Sequence, residues 1–147
     1  MKTQPLATFI RTQLPEPVFV IDSLLPAGGV GFIYGEPGVR KSWLAMALAD
    51  AISEGSKWLV YRTLVQNVLI INTELPPNIY QDRWKLFLNS HIPTHIAVAN
   101  SSELKLDTPS GSTTLAIEVK QNNYQVVIID NLFTSFAGDL TKNTDAN

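Results

Sequence analysis

The sequence predicts an α/β fold with a mostly parallel sheet, arranged around a phosphate-binding loop. Three observations predict it. Apolar strand-like runs alternate with helix-like stretches along most of the chain, and that alternation implies parallel strands joined by crossover helices. The octet Gly35-Glu36-Pro37-Gly38-Val39-Arg40-Lys41-Ser42 lies between an apolar strand-like run and an apolar helix-like run, where a loop of the pattern G-x-x-x-x-G-K-[ST] belongs, with Arg40 in place of its second glycine. The β-branched run Val126 to Ile129 closes on an aspartate, Asp130.

Composition narrows the classes. The chain has 147 residues, 45% of them hydrophobic, enough for one domain with a core. A net charge of -2 gives no overall basic footprint. That argues against wholesale wrapping of a duplex and leaves a local DNA channel open. Without cysteine there are no disulfides and no thiolate metal sites. The N-terminus lacks a charged-then-apolar leader pattern, and no apolar run reaches membrane-spanning length. The expectation is a soluble, cytoplasmic protein with no membrane partner.

The elements follow in order. Residues 1–17 are polar and carry Pro5, Pro15 and Pro17, and are expected to form an irregular arm. Val18 to Ile21 is a short apolar run. Val30 to Tyr34, with glycines on both sides, predicts a strand buried on both faces. Lys41 to Ser53 predicts a helix, because Trp43, Leu44, Ala47, Leu48, Ala51 and Ile52 recur at helical spacing, and Gly55 supplies the stop. Trp58 to Leu64 reads equally as loop or edge strand. Val68 to Asn72 is a strong strand ending in Thr73-Glu74. Pro76-Pro77-Asn78 then breaks the chain and opens a helix with Tyr80, Trp84, Phe87 and Leu88 on one face. His95 to Ala99 is a weaker strand. Asp107-Thr108-Pro109 offers a helix cap with proline in the first turn. Ser110 to Asn122 reads as a helix, although Leu115, Ile117 and Val119 also alternate like a strand. Val126 to Asp130 is the last strand. The domain reading is an arm over 1–17, a core over 18–133 and a polar tail over 134–147.

Three features should meet at the carboxyl ends of the strands, where open parallel sheets bind ligands. In the loop, Gly35, Glu36, Pro37, Gly38, Val39, Arg40, Lys41, Ser42 and Trp43 are the candidate nucleotide-contacting residues. Inward-turned amides and a helix N-terminus make a site for polyphosphate. Lys41 can reach the β- and γ-phosphates, and the Ser42 hydroxyl can join the shell of Mg2+, which prefers oxygen. Asp130 is the candidate Walker B carboxylate on the same cation. Glu74 ends the other strong strand and can polarise the water that attacks the γ-phosphate. Lys41 and Glu74 are thus the candidate catalytic residues, Ser42 and Asp130 the metal pair, and ATP with Mg2+ the expected ligands.

Other side chains carry less. His91 and His95 lie four apart, but Pro93 breaks a shared helical face, and they read as surface or turn residues. Trp43 and Trp84 fit a core better than a base-stacking platform. Arg83 could pair with Glu74 or Asp82, or belong to a solvated helix face. Lys2, Arg11, Lys57 and Arg62 are scattered and form no basic stripe.

Taken together these residues resemble a known group. Leu24 to Gly29 leading into the loop, Ser42-Trp43-Leu44-Ala45, the run Val68 to Pro77 and the run Val126 to Leu132 are similar to RecA-like P-loop ATPases related to plasmid-type hexameric replicative helicases, an AAA-type ATPase group. Arg83 falls where that group often has an arginine. The resemblance covers roughly residues 18 to 145. It implies a RecA-like three-layer α/β/α fold, ATP hydrolysis with Mg2+, assembly into a homo-oligomeric ring with an arginine from the neighbour completing the site, and DNA passing through the ring. Two departures qualify it. Arg40 stands where the second loop glycine belongs, which predicts weakened nucleotide binding. No candidate exists for the strand that normally lies between the loop strand and the Walker B strand. The core is therefore expected to be truncated after the Walker B strand, or to be completed by a partner chain. The functional expectation is an ATPase module of a helicase-like or replication-associated protein. The alternatives are a nucleotide-binding or assembly module without useful catalysis and, third, a small-molecule kinase, against which the lack of an arginine-rich lid speaks.

Overall fold

A computed structural model describes residues 3–138; the remainder of the expected tail, 139–147, and Lys2 lie outside the described residues. The centre is a three-stranded parallel sheet. Its strands are β5 (Val68–Asn72), β6 (Ile96–Asn100) and β7 (Val126–Asp130), in the order β6-β5-β7. The register is unbroken: Val68 sits between Ile96 and Val126, and Asn72 between Asn100 and Asp130. Every residue of β5 is buried, as its run Val-Leu-Ile-Ile requires of a strand covered on both faces.

Ahead of the sheet come α1 (Leu6–Phe9), β1 (Phe19–Ile21), β2 (Leu25–Pro26), α2 (Lys41–Glu54), β3 (Lys57–Trp58) and β4 (Tyr61–Arg62). The hairpin β1-β2 and the hairpin β3-β4 are both antiparallel, and an isolated bridge from Ile21 to Thr63 joins them. The stretch Trp58 to Leu64, open between loop and strand in the sequence, is thus partly a hairpin. The arm contains one turn of helix, α1, that polarity and proline had not signalled. Two helices cross between the sheet strands: α3 (Pro77–Leu88) links β5 to β6, and α4 (Pro109–Gln121) links β6 to β7. The chain steps outward from β5 to β6 and then back across β5 to β7. With right-handed crossovers these opposite steps put α3 and α4 on opposite faces of the sheet.

The core joins helix and sheet. Met46, Ala49 and Ile52 of α2, Val68 and Ile70 of β5, and Tyr80 and Trp84 of α3 form one buried cluster with Val20 and Ile21. On α3, Tyr80 and Trp84 are buried and Phe87 and Leu88 half-buried, so the face read from spacing is the packed one. Trp84 meets Tyr80 and Phe87 edge-on at 6.4 and 5.9 Å between ring centroids. The α4 helix starts as its sequence says: Thr108 accepts the Gly111 N–H at 3.1 Å through its hydroxyl, with Pro109 at the first position. Leu115 and Val119 are its half-buried positions while Ile117 is half exposed, so helical spacing, not strand alternation, describes the segment.

One expected strand is absent. Val30 to Tyr34 forms no ladder, and Val30, Phe32 and Tyr34 are 80%, 72% and 92% exposed. An apolar run becomes a strand only beside a backbone that completes its hydrogen bonds. Both sides of β5 are taken by β6 and β7, and among the described residues the outer edge of β7 is unpaired: 30–34 does not pair with it, and no further strand bridges the two.

Candidate nucleotide-binding site

The loop enters α2 through a strained turn. Gly38 has φ +83°, open to glycine and costly for other residues. Arg40 has φ +65° and ψ +33°, the left-handed conformation, immediately before Lys41 begins the helix. This is the backbone shape that favours glycine at that position, and here an arginine holds it. Residues 35 to 40 are exposed, while Lys41, Ser42 and Trp43 are half-buried. The Lys41 ammonium reaches back over the loop and donates to the Gly35 and Glu36 carbonyls at 2.8 and 2.9 Å. Trp43 turns the other way, its ring 6.5 Å from that of Phe87 between α2 and α3.

Residues 88 apart in sequence meet at the start of α2: the Ser42 hydroxyl donates to Asp130 Oδ1 at 3.1 Å. The parallel register explains the meeting. Asp130 is the last residue of β7 and lies beside Asn72, so it emerges at the carboxyl edge of the sheet. Burial raises the Asp130 carboxyl above its usual range, and the neighbouring Glu74 carboxylate adds to this. The Ser42 bond and the positive charges of Arg83 and Lys41 act in the opposite sense. A hydroxyl and a partly desolvated carboxylate in contact form an oxygen donor pair that suits a hard divalent cation keeping several of its own waters.

Glu74 lies two residues past the end of β5 and is exposed. Its backbone is set by Asn72, whose side-chain oxygen accepts the N–H groups of Glu74 and Leu75 at 3.4 and 3.0 Å. Its carboxylate Oε2 accepts a hydrogen bond from the Asn131 side-chain amide. The sequence reading had not singled out Asn131, Asn72 or the hydroxyls near them. No local pattern announces the contact; the sequence shows only that amide and hydroxyl residues gather at the ends of two apolar runs, at Asn72, Thr73, Asn131, Thr134 and Ser135.

The remaining expectations resolve locally. Among the described residues Arg83 forms no ion pair, and Asp82 pairs with Lys85 at 3.1 Å. His91 pairs with Glu54 at 3.3 Å and His95 meets Asn67 Oδ1 at 2.9 Å, both on the surface. No set of three His, Asp or Glu side chains converges as a metal site among the described residues. A groove of about 480 Å³ runs between α3 and β6, lined mainly by apolar side chains such as Trp84, Leu88, Ile96 and Val98, and includes no loop residue.

A lysine-serine pair opening a helix, a strand-end aspartate on the serine and a three-stranded parallel sheet beneath them define the class: an α/β domain of the P-loop NTPase type. A family model described as AAA domain matches residues 2–147, and the chain belongs to that family. It is accordingly a nucleotide-binding module of the ATPase type; such families typically use Mg2+ and often oligomerise. No curated protein and no solved structure matched the chain. Among the described residues no helix is long and apolar enough to cross a membrane.

Proposed function

We propose that this chain binds ATP with Mg2+ and hydrolyses it, as the motor module of a helicase-like or DNA replication-associated protein. The observation that carries the reading is the 3.1 Å contact between Ser42 and Asp130, which links the phosphate loop to the strand-end carboxylate. Lys41 would bind the β- and γ-phosphates as a point charge, trading its two loop carbonyls for phosphate oxygens. Ser42 and Asp130 would hold the cation, which supplies charge neutralisation across the phosphates. Glu74 would accept a proton from, or orient, the attacking water.

The resemblance to ring-forming helicases supports a homo-oligomer with DNA as partner. One experiment tests the core of the proposal: phosphate release from ATP with and without Mg2+, in the wild type and in Glu74→Gln. Mg2+-dependent turnover that falls about 10²-fold or more in the variant is expected. Equal turnover would remove Glu74 from the mechanism. The left-handed Arg40 favours a second reading, a module that binds nucleotide without useful catalysis. Saturable ATP binding with no phosphate release would select it. Particle mass with and without ATP, and turnover with added single-stranded DNA, test the ring and the DNA partner.

A further inference from the structure

We propose that Asn131 is a positioning residue for Glu74: its side-chain amide, locked in one orientation by Thr134, holds one carboxylate oxygen and leaves the other for the attacking water. This rests on the role given to Glu74 above.

The lock is visible in the hydrogen bonds. Asn131 Oδ1 accepts the Thr134 N–H at 3.1 Å, and the Thr134 hydroxyl lies 3.0 Å from the same oxygen and 2.7 Å from Thr73 Oγ1, with one proton between the two contacts. A backbone N–H can only donate, so the atom that faces it must be the amide oxygen. The amide nitrogen must therefore face the other way, and there it donates to Glu74 Oε2. The Asn131 backbone is fixed as well. Its carbonyl accepts from the hydroxyls of Thr73 and Ser135, each at 2.8 Å. Thr73 and Ser135 are 4% and 0% exposed, so this anchor is shielded from competing water.

Glu74 is gripped from two strands. On its own strand Asn72, 2% exposed, fixes the backbone. Its amide donates to the Leu75 carbonyl at 2.7 Å and to Asn100 Oδ1 at 2.9 Å, which orients its oxygen toward the Glu74 and Leu75 amides. On the neighbouring strand Asn131 fixes the carboxylate. A long exposed glutamate side chain has many rotamers, and a base must sit within hydrogen-bond reach of its water. A neutral amide suits the task. It orients the carboxylate without cancelling the charge that draws the water's proton, as an arginine or lysine would.

Asn131→Asp separates positioning from support. The new side chain keeps an oxygen for Thr134 and loses the donor to Glu74, but it also sets a negative charge beside that carboxylate; Asn131→Ala, which removes the donor and adds no charge, is the control and should fall alongside it. Turnover is expected to fall at least about tenfold, with KM for ATP unchanged and the thermal midpoint held. A merely structural Asn131 predicts wild-type turnover in Asn131→Ala below its melting temperature, and a fall confined to Asn131→Asp would report charge repulsion and overturn the proposal. A contact readout independent of activity is the NMR signal of the Asn131 side-chain amide, which is expected to shift in Glu74→Ala. Unaltered amide signals, wild-type turnover in Asn131→Asp, or a raised KM with kcat intact would each overturn the proposal. The parent reading fails separately: a wild-type chain that releases no phosphate, or a Glu74→Gln variant as fast as wild type, sinks the role of Glu74. Loss of turnover in Glu74→Gln with none in Asn131→Asp sinks only the role of Asn131.

Discussion

Replacing Arg40 by glycine isolates the cost of the one departure in the phosphate loop. Arg40 sits at φ +65° and ψ +33°, where a residue with a Cβ is disfavoured by about 1–2 kcal/mol and glycine is not. The loop around it is exposed and lightly tied: Lys41 bridges two carbonyls, and the Val39 N–H reaches the Glu36 carbonyl only at 3.5 Å. Arg40 holds the left-handed angle here without ligand; an exposed, lightly tied loop still has the freedom to leave it for easier angles, and closing on phosphate removes that freedom. The strain then falls mainly on the bound state. Taking ~1 kcal/mol for it, Arg40→Gly should tighten ATP binding about fivefold, since 1.4 kcal/mol is tenfold. Fold stability should change less, because glycine frees the unfolded chain by about 0.5–1 kcal/mol and offsets the relief. Calorimetric titration with ATP and Mg2+ measures the effect. Arg40→Ala is the control: it keeps the strained geometry and removes the positive charge, so it should bind no tighter than wild type. An Arg40→Gly variant with unchanged affinity, or an alanine variant that tightens as much, would show that backbone strain is not what the arginine adds.

Two further outcomes follow from the geometry. Because burial and Glu74 raise the Asp130 carboxyl, a proton competes with the cation at higher pH than at an ordinary carboxylate; Mg2+-dependent ATP binding should weaken on acidification before free carboxylates titrate. The sign for folding is the reverse of an ion-paired acid: the folded state binds this proton more readily than the unfolded one, so the stability it contributes is present at low pH and lost as pH rises through the raised value. Asp130→Asn should then raise the melting temperature at neutral pH while abolishing the Mg2+ response, and a lowered melting temperature would contradict this. At the start of α4 a Cβ on Gly111 would lie 1.9 Å from the Lys105 carbonyl oxygen. Gly111→Ala should therefore destabilise by about 1–3 kcal/mol, and thermal unfolding indistinguishable from wild type would refute that contact.

What could be read from the chain was what the chain specifies locally. The α2 helix, the buried β5, the packed face of α3 and the Thr108 cap each depend on spacing or on neighbours within a few residues, and each stands where the sequence put it. The Ser42–Asp130 meeting was legible because a loop-helix junction and a strand end in a parallel sheet share one edge. Val30 to Tyr34 misled because a strand needs a partner that its own residues cannot supply. The β3-β4 hairpin was hidden for another reason. Its turn is Leu59-Val60, with Leu59 at φ +55°, and neither residue is the glycine or asparagine that marks such turns. The hold of Asn131 on Glu74 spans 57 positions, and nothing in either residue's neighbours announces it.

The pairing of Asn72 with Asp130 has a consequence beyond the fold. The two carboxylates assigned to cation and water ride on adjacent strands, so the distance between them is an alignment property of the sheet. Sliding β7 by one residue along β5 would carry Asp130 about 3.3 Å away and turn it to the opposite face. The apolar rungs at the far end, such as buried Val68 against half-buried Val126, therefore act as a vernier. They calibrate a reaction centre that they never touch, and a repacking that loosened them would blunt chemistry four residues up the ladder.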